Sequence, residues 1–372
     1  MKKTISILLL LCMVFALAAC GGSEAPAATE APAEAPAEAP TEAPAEEPAA
    51  AEAEYKLGMG VVSNFDSSET GKAQIDTTFA AIVTDAEGKI VDGRKKRLMD
   101  LQGCLLYTSP SPRNKMDVTD GAVTTGNEYP TKMEKGDAYG MVQFGNAIAE
   151  WDAQTKAFEE FAVGKTVEEV VGLETKEHNG HQVAVDETLF AGCTMDIVDF
   201  KAAVEKAGSD EWAVSFTAAD AFTLGVASVT TDDESTVPSA EEDGVVKMYT
   251  EFGAAVVGAD GKILAALNDA IQPNITVNTA GEIVATEYKG TKRELGDDYN
   301  MVKFGNAIAE WDAQSAAFSA YTVGMASDEV AGLETKEHNG HQVTVDETLF
   351  ASCTMDITGM QAVIAQAANY AR

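Results

Sequence analysis

All four histidines stand in two copies of one string, Glu-His-Asn-Gly-His: His178 and His181 in the first, His338 and His341 in the second. Imidazoles three residues apart with Glu177 beside them have the ligand types of a zinc or copper site. Asn-Gly is also the strongest short hairpin signal, and it puts the flanking histidines on opposite strands, facing water. Spacing fixes no third strong ligand, so the solvated turn is the preferred reading and no metal is expected. A second row, Tyr139, Phe144, Trp151 and Phe158, has rings that can stack on a planar cofactor. At helical spacing such a row is the buried stripe of a helix, and core is the preferred reading. The chain has no Gly-x-Gly-x-x-Gly in a strand–helix context, no phosphate-binding P-loop and no Gly-x-Ser-x-Gly. Histidine-assisted nucleophilic catalysis is poorly supported, because the turns hold every histidine. With 60 acidic against 26 basic residues, paired carboxylates are too common to mark a site.

The formal net charge of −34 describes a surface that repels nucleic acid and anionic lipid headgroups. No nucleic-acid partner is expected. The five cysteines include no Cys-x-x-Cys, so no thioredoxin-type or zinc-ribbon site is available. Cys193 and Cys353 occupy matching places in the two repeats and read as small buried hydrophobes rather than a disulfide.

An internal duplication positions these residues. Phe-Gly-Asn-Ala-Ile-Ala-Glu-Trp-Asp-Ala-Gln occurs at 144–154 and 304–314, and Gly-Leu-Glu-Thr-Lys-Glu-His-Asn-Gly-His-Gln-Val at 172–183 and 332–343, both at an offset of 160. A period this long means two whole domains. They are placed at 55–207 and 215–372, joined by 208–214, each large enough to bury its own core. Each copy opens with strands: alternation at Ile75, Thr77, Phe79 and Ala81, then a Gly-Lys turn, with a second hairpin through 275–284 in copy two. Thr-Lys-x-Glu-x-Gly-Asp-x-Tyr-x-Met follows at 131–141 and 291–301. A helix is expected next, carrying Met141, Phe144, Ile148, Trp151 and Phe158, with Gly164 at its end. Thr166 and Glu169 form a capping box for a short second helix, and Ser327 is the expected cap in copy two. A hairpin at His-Asn-Gly, a strand through Cys-Thr-Met-Asp-Ile and a closing helix complete the unit. The class is α+β: two tandem repeats, each an antiparallel sheet packed with helices, after a disordered N-terminal tether.

The N-terminus has Lys2 and Lys3 before an apolar run at 5–16 that is short for a membrane span. Leu17-Ala18-Ala19-Cys20 resembles the lipobox of bacterial lipoproteins. That resemblance implies removal of a signal peptide, 1–19, and a lipid on Cys20. Residues 20–54 are then the lipidated cysteine and an Ala/Pro/Glu-rich linker. Regular proline and like-charged Glu keep it extended, at about 3.1 Å per residue and roughly 100 Å in reach. The expected location is the outer face of the cell membrane, with the membrane as partner through the lipid anchor.

One stretch breaks the pattern. From Gly88 to Gly136 copy one is 13 residues longer than copy two from Gly261 to Gly296, and the excess lies at 92–113. Residues 103–112 contain Cys-Leu-Leu-Tyr-Thr-Ser-Pro-Ser-Pro, which resembles a translated sequencing-adapter read-through. Residues 93–113 are therefore read as an anomalous insertion, mostly foreign, replacing a strand that copy two keeps at 264–273.

The hairpin, the Asp-x-x-Gly-Lys-Ile turn, the Trp-x-x-Gln-x-x-Ala-Phe helix and the closing helix with a Thr at its junction resemble the FMN-binding domains of bacterial, clostridial-type, surface electron-transfer lipoproteins. In that family an Asp-x-x-Ser/Thr-Gly-Ala-Thr/Ser motif places its final hydroxyl where FMN is joined through the phosphate. The similar strings are Ala191-Gly192-Cys193-Thr194 and Ala351-Ser352-Cys353-Thr354. They keep the final Thr, put Ala at the first Ser/Thr, and have Asp186 and Asp346 two residues farther upstream. The resemblance implies FMN at Thr194 and Thr354, in a non-catalytic module for envelope electron transfer with an unidentified redox partner. A plain strand Thr, in a cofactor-free ligand-binding or structural lipoprotein, is the alternative.

Overall fold

The computed structural model describes residues 52–92, 105–108, 114–118, 123, 125, 126 and 128–371. Cys20, the signal peptide and nearly all of the tether lie outside these residues. No helix among the described residues is long and apolar enough to cross a membrane.

The described chain is α+β, as the pattern predicts. In copy one, β1 (Ala53–Asn64) pairs antiparallel with β2 (Lys72–Asp85), and β2 pairs in turn with β3 (Leu105–Thr108) and β4 (Asn114–Asp117). The histidine hairpin is β5 (Thr175–His178) and β6 (His181–Ala184). In copy two, β7 (Val214–Ala218) returns to the edge of β1, so the two copies are interleaved. β8 (Phe222–Thr231), β9 (Gly244–Lys247), β10 (Tyr249–Gly258) and β11 (Ile263–Ile271) follow, with sheet order β11-β10-β8. β12 (Asn274–Val277) and β13 (Ile283–Glu287) make the expected second hairpin, and β14 (Thr335–His338) with β15 (His341–Thr344) repeats the histidine turn. The suspect insertion thus supplies β3, four residues long, where copy two has the nine residues of β11.

Strand alternation sorts the core into layers. Leu57, Met59, Val61, Phe79, Ala81 and Val83 face one way, and Leu224, Val226, Phe252, Ala254 and Val256 meet them in a single cluster. Phe79 and Phe252, equivalent residues of the two repeats, stand 4.9 Å apart between ring centroids. Each copy was expected to close its own core. The outer layers do so, but the middle is shared, because each sheet has a second apolar face that its own helices leave uncovered.

The outer faces take the helices. α1 (Lys132–Lys135), α2 (Met141–Gly145), α3 (Trp151–Ala162), α4 (Val167–Val171), α5 (Glu187–Gly192) and α6 (Val198–Ala207) belong to copy one. Their counterparts are α7 (Lys292–Leu295), α8 (Met301–Gly305), α9 (Trp311–Tyr321), α10 (Ser327–Ala331), α11 (Glu347–Phe350) and α12 (Thr358–Tyr370). The closing helices lie so near the sheets that a Cβ on Gly58 would strike the carbonyl of Ala207, and one on Gly225 that of Ala367. Only glycine permits that approach.

Three local expectations are corrected. The single helix through Met141 and Phe158 is broken at Asn146 and Asn306, both left-handed, so Phe144 is 81% exposed while Trp151 and Phe158 are buried. Glu150 enforces the break: its carboxylate accepts from the amides of Met141 and Val142 at 2.8 and 3.0 Å. Cys-Thr-Met-Asp-Ile is a loop, preceded by α5, whose first-turn amides at Thr188 and Leu189 donate to Asp186. Ser327 is the first helical residue and not the cap; its hydroxyl donates to Ala365 O, while Glu329 accepts from Ala326 N. The capping box at Thr166 forms as expected.

Candidate functional site

Each copy carries a cleft in the same place, built from the same strings. In copy two, α7 brings Lys292, the following turn brings Tyr299, α8 brings Met301, and α9 brings Trp311. The histidine turn closes one side with His338 and His341, and the loop before α12 adds Thr354, Met355 and Asp356. Copy one repeats this with Lys132, Tyr139, Met141, Trp151, His178, His181, Thr194 and Asp196. The volumes, about 800 Å³ and about 1150 Å³, suit a small-molecule site of roughly 300–1,000 Å³ in copy two and exceed that range in copy one. A separate hollow beside Lys56, Asp85 and Glu168 holds none of the candidate histidines, neither Thr194 nor Thr354, and no residue of the aromatic row.

The two candidate threonines therefore join the histidine turns and part of the aromatic row. Thr354 is half-buried. Its amide and hydroxyl both donate to Gln314 Oε1, at 2.8 and 3.4 Å, and Thr194 treats Gln154 alike at 2.9 and 3.2 Å. Both glutamines are fully buried and tied to Ala149 O and Ala309 O by their amide nitrogens. The Gln of the Trp-x-x-Gln string thus orients the threonine loop. The first amides of α6 and α12 already donate to Asp196 and Asp356, so these two helix ends are taken.

The histidines are exposed at the cleft mouth, as a solvated turn requires, and Asn179 and Asn339 hold the left-handed turn position. His178 packs edge-on against Phe190, and His338 against Phe350, each at 5.3 Å. No group of three metal-ligating side chains occurs among the described residues. Cys193 and Cys353 are free and buried, and burial pushes the Cys353 thiol up to about 11.

The sequence reading passed over the lysine of Thr-Lys-x-Glu, although the string stands in both copies. Lys292 is 7% exposed. Its ammonium lies over Tyr249 at 4.4 Å, Tyr299 at 4.8 Å and Trp311 at 5.5 Å, and donates to Tyr249 Oη at 3.3 Å. Tyr249 in turn donates to Glu251 at 3.1 Å. Burial lowers the Lys292 amine to about 8 and raises the Glu251 carboxyl to about 7. This array is a cation held among rings in the cleft that Thr354 also lines, chemistry that suits a planar aromatic ligand carrying negative charge.

No family model matches the chain, and no solved structure matches it. Among curated proteins it is similar to the chlorophenol reductase of Desulfitobacterium hafniense, at 35% identity over 130 residues. These cover 32% of this chain, which spans only 38% of that relative.

Proposed function

We propose that the chain is a lipid-anchored extracytoplasmic protein with FMN-binding-like repeats, and that its copy-two cleft carries FMN for electron transfer in the envelope. The observation that carries this reading is the meeting of Thr354 in one cleft with Lys292, Tyr299 and Trp311, which belong to an earlier stretch of the repeat. The donor set fits the group: rings and methionines for a planar heterocycle, a half-buried hydroxyl for a phosphoester, and Lys247 and Lys292 for its charge. Bound FMN supplies one- and two-electron transfer. The chain's own part is to hold it at Thr354, oriented by Gln314, behind the histidine turn. The name of the partial relative, a reductase, agrees with redox work but covers too little of either chain to carry the reading alone. Copy one, with its anomalous β3 and more acidic cleft, is the poorer carrier.

The mass of the full chain, exported together with a flavin transferase, tests this. One or two FMN increments and a lipid on Cys20 are expected, with the copy-two increment lost in Thr354→Ala. No added flavin mass under those conditions leaves a cofactor-free ligand-binding module.

A further inference from the structure

We propose that the copy-two cleft selects planar aromatic anions, with Lys292 as its counter-charge, and that the copy-one cleft lacks this selectivity. The inference rests on the reading above for the location of the site, and names what the site recognises.

Lys292 is a buried cation with no ion-pair partner among the described residues. An ammonium has three N–H donors, and among the described residues Lys292 makes one hydrogen bond, to Tyr249 Oη. Rings attract the charge but do not replace hydrogen-bond acceptors. A buried charge left so is costly, and an anion in the cleft that Lys292 lines relieves the cost. The charged and titratable groups facing it are Glu251 on β10, Asp269 on β11, Glu234 after β8, and the phenols of Tyr249 and Tyr299. The three carboxylates hold the amine up, but burial outweighs them and leaves it at about 8. The ammonium form, and with it the anion site, is therefore present at neutral pH and lost above that value.

Copy one has diverged at the same positions. Strand register puts Asp76 where copy two has Tyr249, and Thr78 where it has Glu251. Lys132 keeps looser ring contacts, at 5.6 Å to Tyr139 and 5.9 Å to Trp151. Its cleft is lined by Asp66, Asp76, Asp196 and Asp199 against Lys132, whereas copy two sets Asp233, Glu234 and Asp356 against Lys247 and Lys292. The copy-one field disfavours an anion.

The test uses the full chain produced without a flavin transferase and two fluorescent probes: 8-anilinonaphthalene-1-sulfonate, anionic throughout the range, and uncharged N-phenyl-1-naphthylamine. Lys292→Met is expected to weaken the sulfonate about tenfold and the neutral probe less than about twofold, the loss of a charge-assisted contact. Lys132→Met is expected to change neither, and Lys292→Arg to preserve sulfonate binding. In the wild type the sulfonate affinity should fall as pH rises through about 8, with the neutral probe flat. Equal loss of both probes, equal effects of the two lysines, or a flat sulfonate titration overturns the proposal. If Lys292→Met does not fold, the wild-type titration and Lys292→Arg decide it. Because no flavin is present, failure here leaves the flavin mass experiment standing, and the reverse also holds.

Discussion

The carboxylate of Glu251 on β10 occupies the space that a side chain on Gly359, in the first turn of α12, would need. Copy one solves the same place the other way round: Thr78 stands on the strand and Asp199 on the helix. One carboxylate is kept beside each cleft, supplied by opposite elements. Gly359→Ala is therefore expected to destabilise the chain by about 1–3 kcal/mol, the usual cost of overpacking. The double change Glu251→Thr with Gly359→Asp, which installs the copy-one pair, should recover most of that loss. Urea unfolding of Glu251→Thr, Gly359→Asp and the double variant measures the coupling; strict additivity would contradict the exchange.

Burial raises the Glu251 carboxyl to about 7 and that of Asp269 to about 6. In the folded chain both hold protons that the unfolded chain has released. Their contribution to stability is fully present below the ordinary carboxylate range and is lost as pH rises through about 6 and about 7. Lys292 acts with the opposite slope at higher pH: between about 8 and its ordinary value the unfolded chain binds the extra proton, so its burial penalty fades as pH rises. Urea midpoints should fall from pH 4.5 to 7. The fall should be shallower in Glu251→Gln, and equal slopes in the two proteins would contradict the assignment.

Backbone chemistry accounts for the shape of the histidine turns. Asn339 sits at φ 53° and Gly340 at φ 86°. Asn339→Ala is expected to cost about 1–2 kcal/mol, the left-handed penalty of an ordinary residue. Chelator should leave the melting temperature unchanged; a loss of several degrees would mean that metal binding is coupled to folding.

What was legible in the sequence follows from how local the cause is. The capping box at Thr166, the Asn-Gly hairpins and the Gly-Lys turn into β11 are set by residues within a few positions of one another, and they stand as read. The aromatic row misled because 3.6-residue spacing continues across Asn146 although the helix does not, leaving Phe144 and Phe304 about 80% exposed. The shared core was hidden because alternation marks two apolar faces on a strand without naming what covers the second. Lys292 was missed for a related reason. A lysine beside a capping Thr looks like surface until β10 brings Tyr249 against it, 43 residues away in sequence.

The anomalous stretch leaves a mark in the packing, and this carries the last prediction. In copy two, Ser315 and Ser319 of α9 donate to Asn268 Oδ1 at 2.9 and 2.7 Å, a buried polar triad between helix and strand. Their counterparts on α3 are Thr155 and Glu159, both buried. The register of β2 with β3 sets Leu106 where copy two has Asn268. Leucine offers no hydrogen-bonding group, and Thr155 Oγ1 has no partner among the described residues. An unsatisfied buried hydroxyl costs about 1–3 kcal/mol. Replacing residues 91–113 with the segment Leu264–Pro273 restores both the strand length and the asparagine, and should raise the melting temperature. Thr155→Val then separates the causes. In the present chain it should be neutral or stabilising, because it deletes an unpaired hydroxyl. In the grafted chain it should cost about 1 kcal/mol, because it deletes a hydrogen bond. The same sign in both backgrounds would show that the strand does not satisfy Thr155. A clean genomic read through 93–113 would show that the insertion is native.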